Sequence, residues 1–156
     1  MKKRRANAPD VEAADLVVIE ANIDDMNPEW FEYLIERLLA AGAVDVTVRP
    51  VLMKKRRLAA QLQVLCVAER RERLVRIIFA ETTTFGVRFY PVERCTLRRV
   101  VRKVRTPHGL VPVKCGWLGD ELLQCSPEYE ACKAIARKRR VPLREIYRLA
   151  VAAALR

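Results

Sequence analysis

Hydrophobic residues along the chain recur with two periods, one typical of strands and one typical of helices. Leu16–Ile23 is a short apolar run rich in β-branched residues, which indicates a buried strand. In Ala43–Val51 apolar and polar residues alternate, which indicates a strand with one buried face. Further strands are predicted over Ala59–Val67 and over Val87–Val104, the latter long and bent near Pro91.

Two segments between these strands have the spacing of amphipathic helices. The first is predicted to start with Asn27 as its N-cap and Pro28 at its first position, and to end at Gly42. Its predicted apolar face consists of Trp30, Phe31, Leu34, Ile35 and Leu38. The second helix covers Glu69–Thr82. The order β-α-β-β-α-β predicts an α+β fold, the ferredoxin-like split βαβ, in which both helices cover one face of an antiparallel sheet.

The remaining residues predict a smaller second lobe. A turn at Arg105–Leu110 joins the long strand to a return strand, Val111–Trp117, so that the two form a β-hairpin. Two helices follow, one capped by Ser126 with Pro127 at its first position, and one that starts at Pro142. The predicted domains are a mobile leader over residues 1–15, a ferredoxin-like domain over 16–96 and the second lobe over 97–156. The abrupt start of the leader suggests that a further region precedes it.

The net charge of the chain indicates which classes of binding partner its surface favours. The formal net charge is +11 and 51% of the residues are hydrophobic, so the chain has enough apolar residues for a core and a strongly basic surface. Such a surface favours polyanions such as nucleotides, nucleic acids or phosphorylated small molecules. A solvated basic surface that keeps the protein soluble explains the same charge.

The five cysteines form no CxxC pair, which indicates reduced thiols and a cytoplasmic protein rather than a disulfide framework. No apolar run approaches the ~20 residues of a membrane span, so no membrane partner is expected.

Two adjacent carboxylates, Asp24 and Asp25, follow the first predicted strand and precede the first helix. Carboxylate oxygens are the ligands that hard divalent cations prefer. Helix capping is the alternative explanation, but Asn27 and Glu29 already serve that helix end. The pair therefore predicts a metal site, with one carboxylate as a direct ligand because successive side chains diverge.

Cations and hydroxyl groups are concentrated in two other segments. Lys54–Arg57 places four cations in one predicted turn, and Thr82–Thr84 is followed by Gly86 and Arg88. Taken alone, the turn is typical of a charged edge that discourages aggregation, and the glycine explains a helix end. Beside a divalent ion, the same groups are suited to a polyphosphate. Glu128 and Glu130, at a predicted helix start, either satisfy the helix dipole or bind a cation.

Four motifs, "ANIDDMNPE", "MKKRR", "ETTTFGVR" and "SPEYEACKAIA", occur in this order, and together they resemble the C-terminal region of the nickel-insertion protein of nickel-pincer cofactor biosynthesis, the LarC family. The resemblance covers residues 16–155. It implies CTP-dependent insertion of Ni²⁺ into pyridinium-3,5-bisthiocarboxylic acid mononucleotide, with Mn²⁺ or Mg²⁺ as the divalent cation. It also implies an N-terminal region of the same protein as a partner. A homo-oligomer is expected as well.

Applied to these motifs, the resemblance implies a role for each candidate residue. The expected metal ligands are Asp24, Asp25, Glu128 and Glu130, and the expected nucleotide contacts are Lys54, Lys55, Arg57, Thr82, Thr83, Thr84 and Arg88. No catalytic residue is predicted. The nickel ligands are expected in the N-terminal region, because soft ligands are scarce in this chain.

Two other functions fit the fold and the charge. One is an RNA-binding module, although the predicted strand Ala59–Val67 lacks the aromatic residues on which bases stack in RNA-recognition motifs. The other is an assembly or regulatory domain that has no catalytic activity and binds no nucleotide.

Overall fold

The computed structural model describes residues 10–11 and 15–155, so most of the predicted leader, residues 1–15, lies outside the described residues. The chain divides between Arg94 and Cys95 into two compact units. Residues 15–94 belong to the first unit, and residues 95–155 together with 10–11 belong to the second.

In chain order, the strands are β1 (Asp10–Val11), β2 (Leu16–Ile23), β3 (Asp45–Met53), β4 (Arg57–Val67), β5 (Arg88–Val92), β6 (Cys95–Thr96), β7 (Arg98–Thr106), β8 (Gly109–Leu118) and β9 (Glu121–Pro127). The α-helices are α1 (Trp30–Ala40), α2 (Arg71–Glu81), α3 (Tyr129–Arg139) and α4 (Leu143–Ala154). Two single 3-10 turns, Lys54–Arg56 and Ala68–Arg70, precede β4 and α2.

The first unit contains a four-stranded sheet in the order β3-β4-β2-β5, and every neighbouring pair is antiparallel. With α1 between β2 and β3 and α2 between β4 and β5, this arrangement confirms the predicted ferredoxin-like fold. Because β2 and β4 are the two central strands, each is hydrogen-bonded along both edges.

The core of the first unit lies between one face of this sheet and both helices. Alternate residues of the central strands enter it, since successive side chains of a strand point to opposite faces. The buried members are Ile19, Ala21, Ile23, Leu62, Val64 and Cys66 from the strands, and Leu34, Leu38, Leu74 and Ile78 from the helices. The other face of the sheet therefore carries the intervening, more polar residues.

Helix α1 begins two residues later than predicted, at Trp30. The prediction that Asn27 is its N-cap is therefore wrong, because Glu29 occupies that position. The Asn27 side chain instead stabilises the turn before the helix, where its Oδ1 accepts a hydrogen bond of 3.1 Å from the backbone N–H of Glu29. Gly42 ends the helix region with φ 103°, as its left-handed role requires. The prediction that Trp30 is buried is wrong: it is 51% exposed, because its position at the first turn lies beyond the sheet contact made by Leu34 and Leu38.

The predicted long strand, Val87–Val104, is wrong: the segment forms β5, β6 and β7, which belong to three different sheets. Strand β5 pairs with the first half of β2, and the ladder stops where Val92 meets Leu16, the first residue of β2. Beyond Val92 the chain continues into β6, which pairs with β1 in a separate two-stranded sheet. Pro91 fits an edge strand, which has one free side.

The second unit contains a three-stranded antiparallel sheet, β7-β8-β9, and the short pair β1-β6. The predicted hairpin is confirmed by the register of β7 and β8, and β9 extends it. The prediction that Ser126 caps a helix is wrong, because Ser126 and Pro127 pair with Lys114 and Val113 of β8. Strand pairing thus overrides a local helix-start pattern, and α3 begins at Tyr129.

Helices α3 and α4 pack on this second sheet and form a separate core with it. Its fully buried members include Val111, Val113, Cys115, Cys132 and Ile146. The cysteines are free thiols, and Cys115 and Cys125 face each other across β8 and β9 with a sulfur–sulfur distance of 3.4 Å. In the described part of the chain, no helix is long and apolar enough to cross a membrane.

Two leucines of β4 test which side chains hold the first unit together. Leu62 is 0% exposed and Leu58 is 82% exposed. We expect Leu62→Ala to lower the free energy of unfolding by about 2–5 kcal/mol, because it leaves a cavity in the core. The matched control Leu58→Ala is expected to change it by less than about 0.5 kcal/mol. Urea unfolding followed by circular dichroism measures both, and equal effects would contradict the assignment of the core face.

Candidate functional site

The adjacent carboxylates at the end of β2 point to different partners. Asp24 Oδ2 accepts a hydrogen bond of 2.9 Å from Nη1 of Arg57, the last residue of the basic turn. Asp25 Oδ1 accepts one of 2.5 Å from the hydroxyl of Thr83, in the segment after α2. Three segments that are far apart in sequence therefore meet at one end of the sheet.

The ion pair fixes the charge of Asp24. The hydrogen bond from Arg57 is the largest influence on the Asp24 carboxyl and holds its pKa below the ordinary value of 3.8, with a smaller contribution from the Lys54 ammonium. The same bond raises the pKa of the Arg57 guanidinium. Asp24 is thus ionised throughout the neutral range, as a ligand for a cation has to be.

The basic turn closes the β3–β4 hairpin between Met53 and Arg57. Its tip has an uncommon backbone, since Lys55 and Arg56 have φ of 60° and 58° although neither is glycine. The side chains of the turn are exposed. The tip therefore presents a concentrated positive charge to solvent close to the Asp24 carboxylate.

The three threonines after α2 have different roles. The hydroxyl of Thr82 donates to the carbonyl of Ile78 at 2.7 Å and accepts from the backbone N–H of Thr84 at 3.3 Å, so it stabilises the helix end. The hydroxyl of Thr84 donates to the carbonyl of Gly86 at 2.9 Å. Of the three predicted contacts, Thr83 is the one whose hydroxyl reaches the acidic pair.

Beside Thr83 lies a cavity of about 480 Å³ that the sequence did not predict. It is lined by Glu29, Trp30, Tyr33, Ala80, Glu81, Thr82 and Thr83. Trp30 and Tyr33 are each more than half exposed, and the Arg37 guanidinium lies 5.8 Å from the centre of the Tyr33 ring. The sequence prediction placed Trp30 on the buried face of the helix and did not select Tyr33, so it identified neither exposed ring as a possible ligand contact.

Arg88 occupies a different part of the first unit. Its Nε donates to Glu20 Oε1 at 2.7 Å and its Nη2 donates to Asn22 Oδ1 at 3.1 Å. Both acceptors lie on the sheet face opposite the helices, since they alternate with the core residues of β2. Arg88 is therefore held on this outer face by residues that the sequence reading had not selected.

Glu128 and Glu130 belong to the second unit, whereas Asp24 and Asp25 belong to the first. Glu128 precedes α3, and its Oε1 lies 3.4 Å from Lys114 Nζ. Both carboxylate oxygens of Glu130 accept hydrogen bonds from Lys133, at 3.1 and 3.2 Å. Each glutamate thus has a lysine partner within its own unit.

Within residues 15–155, no cluster of three or more histidine, cysteine, aspartate or glutamate side chains is arranged to hold a metal ion. The Asp24–Asp25 pair supplies two carboxylates. Mg²⁺ and similar ions are commonly held by one or two carboxylates together with substrate phosphates. The donor set fits an ion that arrives with a nucleotide rather than one held by the protein alone.

The fold and this end of the sheet define a ferredoxin-like α+β protein with an acidic pair, a basic turn and a hydroxyl donor in one place. The family model for nickel insertion proteins matches residues 3–147. The chain belongs to the nickel insertion protein family.

Similar proteins give the same family. The chain is 45% identical over 131 residues to the pyridinium-3,5-bisthiocarboxylic acid mononucleotide nickel insertion protein of Thermotoga petrophila, and the match covers 84% of this chain and 33% of that protein. It is 46% identical over 138 residues to a putative nickel insertion protein of Geobacter sulfurreducens, with coverage of 88% and 35%. The chain thus spans about a third of the length of the curated relatives it matches.

Solved structures support the fold. The apo C-terminal domain of a cyclometallase involved in the synthesis of the NPN cofactor of lactate racemase matches with a TM-score of 0.84 and 38% identity, over 90% of this chain and 97% of that one. A Methanopyrus kandleri protein matches with a TM-score of 0.73 at 22% identity, over 96% and 92%, and it bears on the fold alone.

The Asp24–Arg57 pair gives a test of the site's electrostatics. We expect Arg57→Met to raise the pKa of Asp24 towards its ordinary value of 3.8, because the largest influence that lowers it is lost. The matched control is Arg56→Met, a neighbouring cation of the same turn, which should shift this pKa less. Carboxyl-carbon NMR measured over a pH titration gives both values. An unchanged Asp24 pKa in Arg57→Met would contradict the ion pair.

Proposed function

We propose that this chain is the CTP- and divalent-metal-binding part of a nickel insertion enzyme that acts on pyridinium-3,5-bisthiocarboxylic acid mononucleotide. The observation that carries the proposal is the meeting of three motifs at the end of β2: Asp25 with Thr83, and Asp24 with Arg57. Family membership supplies the class of reaction, since the Thermotoga petrophila relative is named for this substrate.

In the proposed site Asp24 and Asp25 would hold the divalent ion. When bound, it neutralises the charge of the triphosphate. Lys54, Lys55 and Arg57 add positive charge from the basic turn, and this explains why so many cations occupy one exposed hairpin tip. Thr83 orients Asp25 through its hydroxyl.

The base of the nucleotide is proposed to occupy the cavity beside Thr83. Trp30 and Tyr33 offer aromatic faces there, and a base that stacks on such a face gains about 1–3 kcal/mol. Thr82 and Thr84 are proposed to shape the rim of the cavity, because their hydroxyls hold the backbone after α2.

Two further proposed roles, that of Glu128 and Glu130 and that of the nickel ligands, involve residues outside the site at the end of β2. Glu128 and Glu130, in the second unit, are proposed to contribute to metal binding only after they exchange their lysine partners. Nickel is the substrate of insertion, and we propose that its ligands come from the part of the relatives that this chain does not match, because this chain has few soft ligands.

Calorimetric titration with CTP in the presence of Mn²⁺ tests the proposal, with ATP, GTP and a short RNA as comparisons. We expect metal-dependent binding with a preference for CTP. Asp25→Asn is expected to weaken it at least about tenfold, because the variant loses a charged metal ligand. The exposed Glu36 on α1 gives the matched control, Glu36→Gln, which should bind as the unaltered chain does.

Two outcomes of these titrations would contradict the proposed function. Binding of RNA that falls steeply with salt, without any preference for CTP, would indicate that the basic surface serves nucleic acid. Wild-type CTP affinity in Asp25→Asn would exclude the acidic pair as the metal site.

Trp30 allows the base and the phosphates to be tested separately. We expect Trp30→Ala to weaken CTP binding about tenfold or more, because a stacking surface is lost. Inorganic triphosphate with Mn²⁺ should bind this variant as it binds the unaltered chain, because Trp30 has no role in phosphate binding. Calorimetry measures both ligands, and an equal loss for both would contradict the placement of the base.

A further inference from the structure

The outer face of the first unit's sheet carries a buried carboxylate whose partners the proposed nucleotide site does not use. Glu20 lies near the middle of β2 on the face opposite the helices, and its side chain is only 8% exposed. Burying a carboxylate is unfavourable unless it is paired and hydrogen-bonded. The partners of Glu20 therefore indicate which charged groups this face of the sheet can bind.

Two arginines reach Glu20 from opposite edges of the sheet. Arg88 on β5 donates from Nε to Glu20 Oε1 at 2.7 Å, and its Nη2 also pairs with this oxygen. Arg49 on β3 places its Nη2 3.9 Å from the other oxygen, Glu20 Oε2. Because the two cations use different oxygens of one carboxylate, they flank it across the width of the sheet.

Neutral side chains fix both guanidinium groups in place. Arg49 Nε donates to Gln61 Oε1 at 2.5 Å, and Gln61 Nε2 donates to Asn22 Oδ1 at 3.0 Å. Asn22 Oδ1 also accepts from Arg88 at 3.1 Å, so the two amides of Gln61 and Asn22 connect the arginines. Gln63 and Tyr90 each reach Glu20 Oε2 at 3.4 Å.

The arginines are held but not enclosed. The side chains of Arg49 and Arg88 are 60% and 52% exposed. Among the described contacts, each guanidinium engages Nε and Nη2, and Nη1 of each lies outside this network. A guanidinium has five N–H donors and pairs well with planar acid groups. Each arginine thus keeps donors for a ligand above the sheet.

We propose that this outer face binds the two acidic arms of a planar pyridinium ring, one arm on Arg49 and one on Arg88. This inference rests on the proposed function, since the substrate is that named for the relatives. Across the sheet the order of charges is positive at Arg49, negative at Glu20 and positive at Arg88. A pyridinium ring with acid groups at its 3 and 5 positions has the complementary order: a negative arm, a positive ring and a negative arm. Glu20 acts as a positioning residue for the arginines and offsets the charge of the ring.

The use of two arginines distinguishes this ligand from a single phosphate. A phosphate would contact only one guanidinium or would bind between the two. The probe is pyridinium-3,5-dicarboxylic acid mononucleotide, in which carboxylates stand in for thiocarboxylates. Pyridinium-3-carboxylic acid mononucleotide is the one-arm comparison, and inorganic phosphate is the no-ring comparison. Calorimetry on the unaltered chain is expected to show at least about tenfold tighter binding of the two-arm probe than of the one-arm probe, because a second charge-assisted contact to a guanidinium is added.

Arg49→Met is expected to reduce the affinity for the two-arm probe to that for the one-arm probe, and Arg49→Lys to restore it in part. The matched control is Arg73→Met, at an exposed arginine of α2, which should change neither affinity. Titration with CTP and Mn²⁺ should give the same affinity in Arg49→Met as in the unaltered chain. This separate measurement distinguishes a failure of this inference from a failure of the proposed nucleotide site.

Three results would overturn the inference. They are equal affinity of the unaltered chain for the two-arm and one-arm probes, competition by inorganic phosphate at the affinity of the probes, and unaltered two-arm binding by Arg49→Met. If Arg49→Met does not fold, the probe comparison on the unaltered chain decides the question by itself. A lower melting temperature of the variant with unchanged binding would show that the network has a structural role only.

Discussion

Strand β2 has a hydrogen-bonded neighbour along each edge, so each of its side chains is committed to one of the two faces of the sheet. Ile19, Ala21 and Ile23 enter the core with the two helices. Glu20 and Asn22, between them, are directed to the other face, where a carboxylate can be buried only with partners from the neighbouring strands. The alternation of one strand thus sets the position of both the core and the polar face.

The same strand places the candidate site at its end. Where β2 stops, the two aspartates are no longer part of the ladder, and they turn to different segments, the β3–β4 hairpin and the residues after α2. Both segments are fixed by the split βαβ topology, because that topology brings the β3–β4 connection and the α2–β5 connection near the chain after β2. The fold thereby assembles a set of charges that no single segment contains.

The sequence predicted the βαββαβ order, and it also singled out segments that meet at the candidate site, because period-two and helical spacing and charge runs are local signals. It missed β9, since the decisive interaction is pairing with β8, and the helix signal at Ser126 was overridden there. Trp30 was assigned to the core because spacing does not show where a helix loses contact with its sheet. The Glu20 network was missed because its members come from all four strands, and only the register brings them together.

At the tip of the β3–β4 hairpin, residues that supply positive charge occupy backbone conformations that are unfavourable for them. Lys55 and Arg56 both adopt left-handed backbone conformations, in which glycine or asparagine is under less strain. Substitution of either residue by glycine or asparagine would reduce the backbone strain, and it would also remove a positive charge. A protein engineer who seeks higher stability would find this tip an attractive target, and each gain there would reduce the local positive potential.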